Sequence, residues 1–212
     1  MKATSAKEQI LKKIRKALSA NTNLPFPNSE GNSGIYPAAD DEAEVMFAEQ
    51  FSRLQGRFLY CLNKEELTSA LHHLIAHNKW QKLYCVEDVL LQQMSDMQIT
   101  GLNNTTLHQC DVSFTSCEYL IARTGTIVMS TAQQSGRTTS VYAPVHVCIA
   151  YTNQLVYDIK DALQLLKEKY GAQIPSFITF ATGPSRTADI EKTLVVGVHG
   201  PKEVYVLLVD TL

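Results

Sequence analysis

Arg57-Phe58-Leu59-Tyr60-Cys61-Leu62-Asn63-Lys64-Glu65-Glu66 holds the end of one kind of element and the start of another. The aromatic and aliphatic run over 57–62 suits a short strand. Asn63 is a helix-capping residue and Glu66 stands three residues on. That spacing predicts a capping-box-like start for a helix running through Leu74 and Ile75. The same alternation repeats outward. Residues 83–86 read as a strand, 88–97 as a helix and 112–115 as a strand. Residues 127–130 and 145–150 are rich in β-formers and are expected to pair. Residues 158–170 form an amphipathic helix stopped by Gly171 and Pro175. Residues 176–181 read as a strand, 187–195 as a helix, and 204–209 as a last apolar strand. Before the quoted stretch, 42–54 is helical, with Val45, Phe47, Phe51 and Leu54 on a broad apolar face. Strands alternating with helices predict an α/β layered fold around a mostly parallel sheet.

The first 40 residues are of a different kind. Residues 4–18 read as an amphipathic helix, with Ile10, Leu11, Ile14 and Leu18 on one face and lysines on the other. Residues 21–40 carry Pro25, Pro27, Pro37, Gly31 and Gly34 among Asn and Ser, as an extended linker does. The division is therefore a helix and linker over 1–40 and an α/β domain over 41–212. The helix must bury its stripe against its own core, a second protomer or another subunit. A homo-oligomer assembled through this helix is one of the outcomes left open.

Composition removes several classes of function. In 212 residues, 19 Lys+Arg against 21 Asp+Glu give a net charge of −2. That excludes a polybasic nucleic-acid footprint as the main role. The charged N-terminus has no continuous apolar run and is not a secretory signal. No stretch reaches the length of a membrane span. Five cysteines, with no CxxC pair, disfavour a disulfide framework and a zinc or iron–sulfur site built from this chain alone. The expectation is a cytoplasmic protein with reduced thiols packed as small hydrophobes. Walker A, HExxH, GxSxG and a strand-borne GxGxxG are all absent.

Four loops carry chemistry. Thr182-Gly183-Pro184-Ser185-Arg186-Thr187 joins a strand to the helix expected at 187. Gly183 admits close approach, Ser185 or Thr187 caps, and Arg186 clamps an anion at the helix N-terminus. Ordinary capping, with Asp189 and Glu191 complementing the dipole, explains the same residues. Thr124-Gly125-Thr126 presents two hydroxyls and backbone N–H groups to one ligand, or is a tight turn satisfying itself. Gly197-Val198-His199-Gly200-Pro201 holds a histidine able to move a proton near neutral pH, or one that only bonds its own loop. Arg137 through His146, with Ser140 and Pro144, offers a carboxylate-binding arginine or a plain surface one.

These residues together resemble the LutC/YkgG family of LUD-domain proteins, the lactate utilization protein C group. The resemblance rests on Thr124-Gly125-Thr126, on Arg137 to His146 with Pro144-Val145-His146, and above all on residues 183–191 followed by 197–201. It is sharp over 118–212 and looser before that. It implies a Rossmann-like layered fold of the ribose-5-phosphate isomerase and CoA-transferase (NagB/RpiA/CoA transferase-like) class. It also implies a part in oxidising L-lactate to pyruvate, within a cytoplasmic complex with two iron–sulfur-containing partner proteins. No cofactor is then expected on this chain alone. Arg123 departs from the acidic residue expected before Thr-Gly-Thr. The pocket expected has Thr124, Gly125 and Thr126 on one side and Gly183, Ser185, Arg186 and Thr187 on the other. Arg137 would supply charge, and His199 would transfer a proton to or from a small carboxylate or other anion. A different class of function, a stand-alone enzyme or binder for a phosphorylated, nucleotide or CoA-type ligand, fits the 183–187 loop as well. A scaffold role for the N-terminal helix is the third.

Overall fold

The computed structural model of the chain describes residues 6–19, 42–188 and 194–211. The chain divides into two units, residues 1–38 and 39–212. In the first, α1 (Ala6–Leu18) is the amphipathic helix the sequence predicts, and its Ile10, Leu11 and Ile14 are exposed. The linker expected over 21–40 lies outside the described residues.

The second unit opens with α2 (Ala43–Arg53). Phe47 and Phe51, one helical turn apart, are fully buried with their rings stacked at 5.4 Å. β1 (Arg57–Cys61) and α3 (Lys64–His77) come next. The Glu66 N–H donates to Asn63 Oδ1 at 2.9 Å, as the sequence predicts. The Glu66 carboxylate accepts from the Leu62 N–H at 2.8 Å, one residue before the cap itself. After α3 stand β2 (Leu83–Tyr84), α4 (Asp88–Asp96), β3 (Val112–Thr115), β4 (Tyr119–Ile121), β5 (Thr126–Ser130) and the short α5 (Thr139–Tyr142). The chain ends with β6 (Val145–Tyr151), β7 (Leu155–Val156), α6 (Ile159–Tyr170), β8 (Ile178–Ala181), β9 (Arg186–Ala188), β10 (Leu194–Val196) and β11 (Glu203–Val209).

Two sheets stack. The five-stranded sheet has the order β1-β11-β6-β3-β2, and every neighbouring pair is parallel. The four-stranded sheet has the order β7-β4-β5-β8 and is mixed, with β5 antiparallel to both neighbours. Strand pleating sends alternate residues to opposite faces. Val147, Ile149, Tyr205 and Leu207 pack with Leu67 and Leu71 of α3 and Leu90 and Met94 of α4. Cys148, Ala150, Val204, Val206 and Leu208 face the other way, against Phe47 and Phe51 of α2 and Leu120, Ile127 and Met129 of the second sheet. On the far side of that sheet, Ile121 and Val128 meet Ala162 and Leu166 of α6. The layers are thus helices, parallel sheet, mixed sheet with α2, and helix. Each large apolar side chain sealed in them contributes about 1.5–3 kcal/mol.

Two expectations are corrected. The segments 127–130 and 145–150 do not pair: β5 lies in the mixed sheet and β6 in the parallel one. Both are apolar and buried, so their patterns alike suit either sheet. The helix expected over 187–195 is not formed at its ends. β9 and β10 pair antiparallel there, Thr187 opposite Val195 and Arg186 opposite Val196. The β-branched Thr187, Val195 and Val196 favour this extended pairing over a helix.

All five cysteines are buried free thiols. Burial pushes the thiols of Cys61, Cys85 and Cys110 up, that of Cys85 to about 11. Because the thiolate is the reactive form, the native protein should react with Ellman's reagent at pH 8 far more slowly than the protein unfolded in guanidinium. A fast phase equal to all five thiols in the native state would contradict that packing.

Candidate functional site

The bend after β8 decides the site. At Gly183 the backbone φ is +81°, and an added Cβ would lie 2.9 Å from the Leu54 carbonyl oxygen. Only glycine suits both the angle and the contact. Past it, the Ser185 N–H donates to the Pro201 carbonyl at 3.0 Å, and the Gly197 N–H donates to the Ser185 carbonyl at 2.9 Å. The 197–201 loop is thereby held against the 183–185 bend.

Between these loops and the edges of the two sheets lies a cavity of about 270 Å³. Met129, Val141, Ala181 and Val204 give it apolar walls, and Ser140, Thr179, Thr182, Ser185, His146 and His199 give it polar groups. No lysine or arginine lines it among the described residues. An adjoining cleft of about 430 Å³ shares Val141, His199 and Gly200 and adds Lys202.

His146 is the most deeply held polar group here, 1% exposed. Its Nε2 is 2.8 Å from the Thr115 hydroxyl on the neighbouring strand. Burial pushes the imidazole down to about 4, so the ring is neutral at pH 7. His199, by contrast, is exposed at the mouth.

The sequence-predicted residues separate into two groups. Gly183, Ser185 and His199 share the cavity. Thr124, Gly125, Thr126, Arg137, Arg186 and Thr187 lie outside its lining. The two glycine bends do meet: Thr126 Oγ1 is 2.7 Å from Thr124 Oγ1 and 2.9 Å from Thr182 Oγ1. The space against them is held by α2 and the residue after it. A Cβ on Gly125 would lie 2.4 Å from the Phe51 backbone nitrogen, and the Arg186 guanidinium donates to the Leu54 carbonyl at 2.8 Å. Arg137 donates to Ser176 Oγ at 3.1 Å and lies over the Phe177 ring. Thr187 sits on β9, paired with Val195 of β10 rather than at a helix N-terminus. Arg123 meets Asp158 with a fork, Nε at 2.9 Å and Nη2 at 3.3 Å. That guanidinium holds the Asp158 carboxyl below the usual range at the start of α6.

A second polar group lies buried in the mixed sheet. Glu118 is 4% exposed. It accepts from Ser130 Oγ at 2.5 Å, Tyr170 OH at 2.7 Å and Lys169 Nζ at 2.8 Å. Nothing in local sequence spacing marks it, because its partners lie 12 to 52 positions away. Among the described residues no three His, Cys, Asp or Glu side chains gather as metal ligands, and no helix is long and apolar enough to cross a membrane.

Comparison with known proteins bears on this arrangement. The chain matches the LUD domain over residues 86–209. It is 35% identical over 186 residues to a protein of Anoxybacillus flavithermus called Lactate utilization protein C, covering 81% of this chain and 83% of that one. It is 37% identical over 105 residues to the protein of the same name in Bacillus licheniformis, covering 48% of this chain. There, and in the Bacillus velezensis protein, the match spans 44% of the relative's length. A crystal structure of a DUF162 family protein from Deinococcus radiodurans shares the fold, with a TM-score of 0.60 at 18% identity. It covers 82% of this chain and 99% of that one.

Proposed function

The chain belongs to the LUD domain family, and from that premise we propose that it serves the use of L-lactate, as a subunit of a cytoplasmic complex oxidising L-lactate to pyruvate with iron–sulfur-containing partner proteins. The observation that carries this reading is the match to Lactate utilization protein C of Anoxybacillus flavithermus, which extends over most of both chains. In this reading electron transfer belongs to the partners, and this chain contributes a binding site. A cavity of about 270 Å³ is below the range typical of drug-sized ligands and suits a very small molecule.

The reading as a binder of phosphates, nucleotides or CoA draws on a helix N-terminus at residue 187. That segment is β9, and Arg186 is turned to the Leu54 carbonyl. The support specific to that alternative is therefore gone.

Deleting the gene should abolish or strongly slow growth on L-lactate as sole carbon source while leaving growth on glucose intact. The tagged chain should co-purify with iron-containing proteins. Normal growth of the deletion strain on L-lactate, with no such proteins retained, overturns the proposal.

A further inference from the structure

A histidine used only for packing or for a strand-to-strand bond has no need to border open space. His146 does border it. The side chain stands second in β6, opposite Ser113 of β3, with Thr115 two residues further on the same face. Thr115 Oγ1 takes up Nε2. Among the described residues no group bonds Nδ1. The one fully enclosed side-chain atom without a partner there is Gln93 Oε1, so Nδ1 of His146 reaches accessible space. The space that His146 lines is the cavity under residues 183–185 and 199–201. A ring nitrogen of a side chain that is 1% exposed and lines a cavity, without a protein partner among the described residues, is costly unless a ligand or water completes it.

The rest of the lining says what kind of ligand that is. Met129, Val141, Ala181, Val204 and two prolines form apolar walls, the Ser140 and Ser185 side chains belong to the lining, and no cationic side chain lines it among the described residues. A doubly charged phosphate gives up more hydration than a monoanion on entering walls without a cationic side chain among the described residues, and Lys202 in the adjoining cleft offers a single positive charge. A small molecule with one apolar end, one oxygen substituent and at most a single charge, carried toward the wet end beside His199 and Lys202, meets every group available. The Thr115 hydroxyl can give or take the bond to Nε2. Nδ1 is accordingly free to present either a proton to an oxo group or a lone pair to a hydroxyl.

We propose that this cavity is the binding site for a small 2-hydroxy or 2-oxo monocarboxylic acid, and that His146 Nδ1 is the atom that contacts the ligand's oxygen substituent. The assignment rests on the lactate reading for its choice of ligand class and on the cavity for its choice of residue. It makes His146 a ligand-contacting, specificity-determining residue and Thr115 the group that positions its ring.

Two amide variants divide the ring's two jobs. His146→Asn keeps a polar atom near the position of Nδ1 and gives up the reach to Thr115. His146→Gln keeps the reach of Nε2 and gives up the cavity contact. With the full chain, calorimetric titrations of L-lactate and of pyruvate should show binding to wild type, and inorganic phosphate should show none. His146→Gln should weaken binding by about tenfold or more, as loss of a buried hydrogen bond does, while His146→Asn stays within a few-fold of wild type. The Nδ1 resonance of a ¹⁵N-histidine-labelled sample should shift on adding L-lactate. Circular dichroism melts establish that both variants are folded. If either fails to fold, the wild-type Nδ1 shift decides alone. Equal binding by His146→Gln and wild type, an unmoved Nδ1 resonance, phosphate binding as well as lactate, or no binding of either acid to wild type each overturns the assignment. None of these outcomes touches the growth phenotype of the deletion strain, so the lactate reading stands or falls separately.

Discussion

Replacing Gly125 with alanine is expected to destabilise the protein by about 2–5 kcal/mol, because two costs combine. Gly125 has φ +59°, where an L side chain costs about 1–2 kcal/mol. The new Cβ would lie 2.4 Å from the Phe51 nitrogen and 2.8 Å from Gln50 C and Phe51 Cα. These are backbone atoms, so no rotamer change relieves them. The helix itself must back away, and α2 carries Phe47 and Phe51, both 0% exposed in the core between the sheets. Overpacking of that kind adds about 1–3 kcal/mol. In a chain of this size the middle of the range is a fall in Tm of roughly 10 °C. Gly136→Ala is the control. Its φ is +62° but nothing lies closer than 4.0 Å, so only the conformational cost applies. Calorimetric melts of the two variants separate the terms. If Gly125→Ala melts like Gly136→Ala, α2 is not seated on that bend and the residue is free to serve a ligand after all.

That contrast shows how far the sequence could be read. Local signals transmitted well. The Asn63 and Glu66 spacing produced a capped α3 because both partners of each bond lie within four residues. The alternation of strands and helices gave the parallel sheet. Partnership between distant segments did not transmit. β5 is a buried apolar strand, as expected, but its partners are β4 and β8, with Ile127 opposite both Leu120 and Ala181, and no pattern in β5 names the distant β8. The segment after Arg186 carries Ala188-Asp189-Ile190-Glu191, which speaks for a helix, and β-branched ends, which speak for strands. Pairing of the ends decided the matter. At the site, the meeting of the two glycine bends was legible as a possibility, and they do join through Thr126 and Thr182. That α2 would occupy the space against them was not, since Phe47 and Phe51 advertise only an apolar face. His146 lies in the Pro144-Val145-His146 motif, yet its burial and its open nitrogen exist only once β3, β6 and the 199–201 loop are assembled.

Glu118→Ala should cost about 3 kcal/mol at pH 7, near the lower end of the penalty for removing one partner of a buried ion pair. The lower end applies because the Lys169 side chain is 52% exposed and returns to water once released. The larger share comes from Ser130 and Tyr170, whose hydroxyls lose their acceptor where the mixed sheet meets the end of α6. The pH dependence has a definite sign. Burial alone would raise the Glu118 carboxyl, but the bonds from Lys169, Ser130 and Tyr170 outweigh it and hold the carboxyl below its ordinary value. The stabilisation is therefore complete above the unfolded value, about 4.3, and is lost as pH falls through the folded one. Lys169 reports the same contact from the other side. Desolvation opposes its charge, Glu118 prevails, and its ammonium is held above the usual range. That share is complete below about 10.4 and is lost as pH rises through the folded value. The two are one interaction and count once. Glu118→Ala should consequently lower stability at neutral pH and flatten both the acid and the alkaline limbs of the stability curve. Glu118→Gln, which keeps a hydrogen-bonding side chain without the charge, should fall between Glu118→Ala and wild type and lose the acid limb. Urea unfolding from about pH 3 to about pH 12, which brackets both limbs, reads all three proteins. A Glu118→Ala curve parallel to wild type across that range would mean that the carboxylate is already solvated in the native state and that the sheet-to-helix contact is held by its apolar neighbours, Ile121, Val128, Ala162 and Leu166, alone.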